Sequence, residues 1–391
     1  MPIRIENLPQ RVTVPRSSAA FDAYETLGAL ARPRLSTSPG FEEVAAEVRW
    51  RFENLGFEAQ EMPFEFAPWV GRYVLSIGAV ILLVGILIAG ICLLGSVKAG
   101  AAVVLVLAGS AILVIALNFR RALHGAKWRR RTGTNLLFRR PGARPHYILM
   151  AHLDSKSQLV PLSLRAPAIG VAVITWLILL GISLLTVGRP VPQGVVFVTA
   201  VLGVLATTVL ALSWADNDSQ GALDNASGVA TLLGVAHREH EADDVAYLVT
   251  DGEELGLAGA RDVARKLPPV HGVINIDGID DRGRFFVMER ARDRHRGIAP
   301  HLAASILKGA VQLDVHAERR SVPMGILVDH LPIVDAGIPA LTLMHGDVTS
   351  LNRVHRPQDN LTRLRGTGVA AAMDLLCAAL AFLRKEEPRL S

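Results

Sequence analysis

The chain has 391 residues, 50% hydrophobic and 20% charged, with a formal net charge of +5. That length suits two average domains or one large catalytic domain with additions, and the apolar share is high for a soluble enzyme. The two cysteines, Cys92 and Cys377, are placed neither to pair with each other nor to bind metal, so no disulfide framework is implied.

Met1 to Ala20 lacks the apolar core of a signal peptide. From Phe21 to Gly56 a helical pattern recurs, with Phe41, Val44, Ala45, Val48 and Phe52 on one face and Gly56 as the stop. Phe57 to Phe66 reads as an alternating strand leading toward a membrane at Pro68-Trp69. The excess apolar content then falls in runs without charge: Tyr73 to Val97, Ala99 to Phe119, Ala166 to Gly188 and Val191 to Ala215. Each is long enough for the roughly 20 residues that cross a hydrocarbon core, and core helices of that length keep a polar face. Short joints at Lys98 and at Gly188-Arg189-Pro190 make two hairpins, whose ends return to the same membrane face. No charged residue lies inside the spans to form a transport path.

After the first hairpin come Arg120, Arg121, Lys127, Arg129, Arg130 and Arg131. A basic run could bind nucleic acid; directly after a span, contact with anionic headgroups is the commoner meaning, and no nucleic-acid partner is expected. Asn135 to Phe138 resumes a strand pattern, and Tyr147 to Ala151 reads as a buried strand ending in His152-Leu-Asp154. Asp224 stands just before a helix running to His237, and Val245 to Thr250 is an apolar strand followed by Glu253-Glu254. His271 to Ile276 ends in Asp277; Ala340 to Met344 is followed by His345, Asp347 and His355. Strand ends in open α/β sheets face the ligand crevice. Histidines and carboxylates without cysteine are the donors of a divalent metal such as zinc, manganese or cobalt. Thr367 to Lys385 reads as an amphipathic packing helix of the catalytic domain and not as a fifth span.

In order, His152-Leu-Asp154, Asp224-Asn-Ala-Ser-Gly228, Glu253-Glu254-Leu-Gly-Leu-Ala-Gly259, Asn275-Ile-Asp277, Asp329-His330 with Gly337-Ile-Pro-Ala340, and His355-Arg-Pro-Gln-Asp359 resemble the motifs of the di-zinc aminopeptidases. These are the clan MH zinc exopeptidases, which include bacterial leucyl aminopeptidases and the glutamate carboxypeptidase and transferrin-receptor branch. The resemblance covers roughly residues 21 to 66 and 133 to 385, with both hairpins outside it. It implies an α/β fold, a mixed sheet flanked by helices, and a site with two divalent ions, zinc foremost. His152 and Asp277 would bind one ion, Glu254 and His355 the other, and Asp224 both. Asp154 would orient His152, and Glu253 would be the general base for a metal-bridging water. Some members steady the tetrahedral intermediate with a tyrosine, but the last tyrosine here, Tyr247, lies in a strand. His330 is either a replacement donor or a satisfied pocket histidine. His345 rivals His355 as a ligand; the Pro357 and Asp359 that follow His355 match the family's manner.

The expected organisation is a peptidase domain built from 1–71, 120–165 and 216–391, interrupted by transmembrane hairpins at 72–119 and 166–215. Arg72, Arg165 and the Arg120 to Arg131 run flank the catalytic side, against Lys98 and Arg189 on the other. By the positive-inside rule the catalytic domain and both termini face the cytoplasm, at the inner membrane. The linkers around the second hairpin hold the site within roughly 40 Å of the bilayer. The function expected is removal of N-terminal residues from peptides. Alternatives are another amide hydrolase or transferase on the same site, or a non-catalytic membrane scaffold or receptor, which loss of the ligands would mark.

Overall fold

Capping side chains and prolines set where the N-terminal helices begin. Asp22 accepts from the Glu25 amide to start α1 (Ala23–Leu30), and Ser38 accepts from the Phe41 amide, with Pro39 next, to start α2 (Pro39–Asn54). The helical pattern from Phe21 to Gly56 is thus two helices, parted around Pro33, and it stops at Gly56 with φ +82°. The computed structural model describes residues 21–291, 293, 299–323 and 326–386. The reading of Met1 to Ala20 lies outside these residues.

The strands are β1 (Glu58–Phe66), β2 (Arg131–Arg139), β3 (Tyr147–His152), β4 (Val245–Thr250), β5 (Gly272–Ile279), β6 (Arg284–Glu289), β7 (Ala317–Ser321) and β8 (Ala340–Gly346). They form one eight-stranded sheet in the order β1-β2-β4-β3-β5-β8-β6-β7. The centre, β4-β3-β5-β8, is parallel, and β2 and β6 join it antiparallel on either side. Every residue of β3 and β4 is buried, as a parallel strand covered on both faces requires. One face packs on α1, α2, α7 (Ser227–Arg238) and α12 (Thr367–Glu386), with Phe52, Phe138 and Tyr247 in that core. The other face packs on α8 (Ala258–Val263) and α10 (His330–Asp335) through Ile148, Met150, Leu248, Val263 and Ile333. The remaining helices of this domain are α9 (Pro300–Gln312) and the short α11 (Val348–Leu351).

Five helices among the described residues are long and apolar enough to cross a membrane, which suggests membrane association. Four are α3 (Pro68–Leu94), α4 (Lys98–Gly125), α5 (Leu162–Leu185) and α6 (Gln193–Ala211). They bundle around small and aliphatic side chains such as Ala79, Ile86, Ala89, Ala101, Ala172 and Leu179. Their outward face is apolar too: Ile91, Leu117, Leu185 and Phe197 are 60% exposed or more. A surface of this kind is unstable in water and stable in lipid. The fifth, α12, is long and apolar too, but it buries Leu375, Leu376, Leu380 and Leu383 in the main core and has no apolar outer face. Both hairpin tips meet at the far end of the bundle, where Lys98 Nζ donates to the carbonyls of Thr186 and Arg189.

The near end of the bundle is fastened to the sheet domain. Arg72 Nε donates to the Ala215 carbonyl at 2.7 Å and its Nη2 meets Asp216 Oδ1 at 2.8 Å. Ser157 and Asp216 exchange backbone hydrogen bonds, so the two ends of the second hairpin hold each other. Gly71, in the first turns of α3, lies so close to the Leu255 carbonyl that a Cβ there would overlap it. Leu255 follows Glu254, so Gly71→Ala should push the Glu254 loop, with an overpacking cost of about 1–3 kcal/mol. A lowered unfolding midpoint and weakened retention of divalent metal would bear this out; an unchanged midpoint and unchanged retention would contradict it.

Candidate metal centre and active site

The parallel register brings the charged strand ends together. His152, the last residue of β3, pairs with Thr250 of β4, so the segment from Asp251 to Glu254 leaves the sheet beside it. Asp277 lies on β5, on the other side of β3. Asp224 arrives in the tight turn before α7, with a cis peptide to Asn225.

Asn225 explains part of the Asp224-Asn-Ala-Ser-Gly228 pattern. Its Nδ2 donates to the Ile276 carbonyl at 2.8 Å, while its Oδ1 accepts from the amides of Gly228 and Gly278 at 3.0 and 3.2 Å. It thereby fixes Asp224 relative to Asp277. A side chain at Gly228 would overlap the Asn225 amide. Ser227 Oγ accepts from the Ile279 amide at 2.8 Å and strengthens the same link.

Two groups of candidate ligands result, His152–Asp224–Asp277 and Asp224–Glu254–His355, which share Asp224. His152 Nε2 lies 3.1 Å from Asp224 Oδ1 and 3.6 Å from Asp277 Oδ1. His355 Nε2 lies 3.1 Å from both Asp224 Oδ2 and Glu254 Oε2. The two Asp224 oxygens therefore face different imidazoles. His152 Nε2 and Glu254 Oε1 are buried without a hydrogen-bond partner, though charged neighbours stand around them. Orphaned donor atoms converging from several elements are what a divalent cation needs, and the nitrogen and oxygen donors fit zinc.

The electrostatics follow the same pattern. Burial opposes the charge of Asp224, yet His152 and His355 outweigh it and hold the carboxyl well below its usual range. Burial likewise opposes Glu254, but His355 and Lys156 bring it down to about 2. Burial works against protonation of His152, and Glu253, Asp154, Asp224 and Asp277 overcome it and raise the imidazole well above its usual value. Glu253 differs from its neighbour: burial, opposed by His152 and reinforced by Glu254, Asp329 and Asp277, pushes it well above the glutamate range. The adjacent glutamates are thus shifted in opposite directions.

The surrounding residues set these positions. Asp154 Oδ1 and Oδ2 accept from the amides of Glu253 and Glu254 at 3.1 Å each, so its carboxylate clamps the glutamate pair. The His152 ring is held from behind by the Asp154 carbonyl, 3.0 Å from Nδ1, while the carboxylate stands 3.6 Å away. Asp154 therefore orients His152 through its backbone as well as its side chain. His330 is fully buried, with Nδ1 2.7 Å from Thr342 Oγ1 and Nε2 unpartnered; burial and Arg290 lower its pKa to about 3. It lies outside both ligand groups. His345 also lies outside them: its Nδ1 faces the Asp280 carbonyl and its ring packs on Phe285 at 4.3 Å.

Sequence reasoning missed three contributors. Arg34, fully buried, donates to the carbonyls of Leu153 at 2.6 Å, Gln220 at 2.5 Å and Gly221 at 2.9 Å, joining the loops that carry Asp154 and Asp224. Lys156 places Nζ 2.7 Å from Glu254 Oε2. Asp359, noticed only as part of a motif, accepts from the amides of Leu223 and Asp224 at 2.6 and 3.0 Å. Its uncharged replacement of the same shape, Asp359→Asn, would put an NH2 donor in place of one of these two acceptors. Loss of such outer support costs about 10- to 100-fold in metal affinity. A titration of divalent metal into the metal-stripped variant should read that loss; affinity equal to the unaltered protein would contradict the role.

A family model described as Peptidase family M28 matches residues 135–380. No curated protein matches the chain. Among solved structures it is similar to an aminopeptidase from Aneurinibacillus sp. strain AM-1, at 15% identity and a TM-score of 0.54, covering 92% of each chain. A leucine aminopeptidase precursor from Bacteroides thetaiotaomicron VPI-5482 gives 13% identity and a TM-score of 0.57, covering 95% of this chain and 99% of that one. A glutaminyl cyclase from Bacteroides thetaiotaomicron also gives 13% identity and 0.57, covering 94% and 99%. At these identities the structures speak for the fold, an α/β sheet flanked by helices. The family match spans well over half of the sequence, and on that ground the chain belongs to peptidase family M28.

Proposed function

We propose that the protein is a membrane-anchored, zinc-dependent exopeptidase that removes N-terminal residues from peptides. The observation that carries the reading is the pair of ligand groups sharing Asp224, with Glu253 buried beside them. Its relatives in structure include zinc aminopeptidases, among them one from Bacillus subtilis. His152 and Asp277 would hold one ion, Glu254 and His355 the other, and Asp224 both. Bound there, the metal supplies Lewis-acid polarisation of the peptide carbonyl and acidifies the attacking water.

The protein's own residues supply the proton traffic. Glu253, with its raised pKa, accepts the proton of the attacking water and returns it to the leaving amine. Asp154 keeps it in place by holding the amides of both glutamates. Thr342 Oγ1 accepts from Asn275 Nδ2 at 3.1 Å and has its own proton to give to His330 Nδ1. His330 Nε2 then carries a proton, the state required of a donor to a developing oxyanion.

The membrane placement rests on the apolar outer face of the four-helix bundle. Arg72, Arg129, Arg130 and Arg131 lie on the catalytic side, and Lys98 and Arg189 at the tips, so the catalytic domain faces the cytoplasm by the positive-inside rule.

Glu253→Gln tests the mechanism. The variant should keep its metal and its fold while turnover of aminoacyl amides falls by about 100-fold or more. Metal loss with retained turnover would reverse the roles of Glu253 and Glu254. Because solved glutaminyl cyclases share the fold, the assay should include an N-terminal glutaminyl peptide. Cyclisation of that peptide without hydrolysis of any other would replace the peptidase reading by the transferase one.

A further inference from the structure

A cavity of about 220 Å³ lies where the bundle meets the sheet domain, outside both ligand groups and without a part in the chemistry above. Arg120 enters it from the end of α4, Arg261 from α8 and Arg290 from the segment just after β6. Among the described residues that line it, the one carboxylate is Asp335, and both of its oxygens are engaged. Oδ1 lies 2.8 Å from Arg290 Nη1, and Oδ2 lies 3.6 Å from Arg120 Nη2. Pro332 and three leucines, of which Leu327 is exposed, make the remaining lining apolar.

Three guanidiniums against one carboxylate leave the lining positive, and the three are unequally served. Arg290 also meets Asp293 at 3.3 Å and donates to the Leu331 carbonyl at 3.0 Å. Arg120, 66% exposed at its side chain, has only its long contact with Asp335, a pair of little worth in water. Arg261 uses Nε on the Gly256 carbonyl at 2.9 Å, and among the described residues no carboxylate forms an ion pair with it. Burial, and then the like charge of Arg120, lower its pKa to about 10 against the pull of Asp335 and Asp329. Guanidinium donors gathered from three elements, with too few carboxylates between them, match an oxyanion that offers several acceptor oxygens.

Position selects the oxyanion. Arg120 is the first charge after the apolar run that ends at Phe119, so it stands where α4 leaves the hydrocarbon and enters the headgroup layer. A free inorganic anion gains nothing from the leucines, whereas the glycerol and first acyl carbons of a lipid bury against them. We propose that Arg120, Arg261 and Arg290 hold the phosphate of an anionic phospholipid, whose glycerol end lies on the leucines of the same cavity. The site rests on the membrane placement proposed above. It differs from the general attraction of the Arg129 to Arg131 run to a charged surface, because three separate elements fix one phosphate in one place. The phosphate also borders the catalytic loop: Arg261 holds the Gly256 carbonyl, and the Leu257 amide donates to the Glu253 carbonyl at 2.9 Å.

The test reads the thermal unfolding midpoint of the full-length protein in an uncharged detergent. Dihexanoylphosphatidylglycerol, dihexanoylphosphatidylcholine or inorganic phosphate is added at equal concentration. The phosphatidylglycerol should raise the midpoint by about 2 °C or more, the scale expected of a ligand well above its Kd. The other two should leave it nearly unchanged. Arg120→Gln, which alters an exposed side chain, should abolish the response, and so should Arg261→Gln; if one of them does not fold, the other decides. Arg121→Gln, beside Arg120 but not part of the lining, should keep the response. No response in the unaltered protein, a response that survives the cavity variants, or one that Arg121→Gln loses equally overturns the site. An equal shift with phosphatidylcholine or inorganic phosphate overturns the anionic lipid as its occupant. Alkaline carbonate extraction of membranes separates the two readings. A chain released by carbonate overturns the membrane placement and the site together, and one that is retained but does not respond to phosphatidylglycerol overturns the site alone.

Discussion

Negative charge concentrated where water is scarce is the constraint on which the rest of the site depends. Asp154, Asp224, Glu253, Glu254 and Asp277 are all buried at the ends of β3, β4 and β5 or in the turn facing them. Like charges so placed destabilise a fold unless cations or protons compensate. The protein answers in several ways. Backbone amides donate to Asp154 and Asp359, imidazoles stand against Asp224, and burial raises the pKa of Glu253. What these leave uncompensated is concentrated on the oxygens that converge around Asp224, which is the condition for holding divalent metal.

The hairpins sit close to this charge balance. Gln158, just before α5, bonds directly to the His355 carbonyl, and Gly71 of α3 presses on Leu255. The bundle therefore packs directly against the loops that carry the candidate ligands. The packing of the bundle and the geometry of these loops are coupled through contacts that a small shift of α3 or α5 would alter.

Much of this was legible because chemistry and hydrophobic pattern coincide in short segments. Tyr147 to His152 and Val245 to Thr250 are continuous apolar runs that end in hard ligands, and both are central buried strands. The four charge-free runs correspond to α3 through α6; α3 and α5 begin a few residues before their runs, α4 ends a few residues after its own, and α6 lies within its run. The strands β6 and β7 escaped the reading, since Ala317 to Ser321 is a polar edge strand without alternation. Arg34 was invisible for another reason: its carbonyl partners lie 119, 186 and 187 residues away. Lys156 sits next to a recognised motif, but a lysine in a loop reads as surface until the fold closes over it.

Elemental analysis of the purified full-length protein, equilibrated with zinc and dialysed, tests the central claim most directly. The shared-carboxylate arrangement predicts two divalent ions per chain, both lost on Asp224→Ala. A chain that retains none, or an Asp224→Ala variant that retains both, would contradict it.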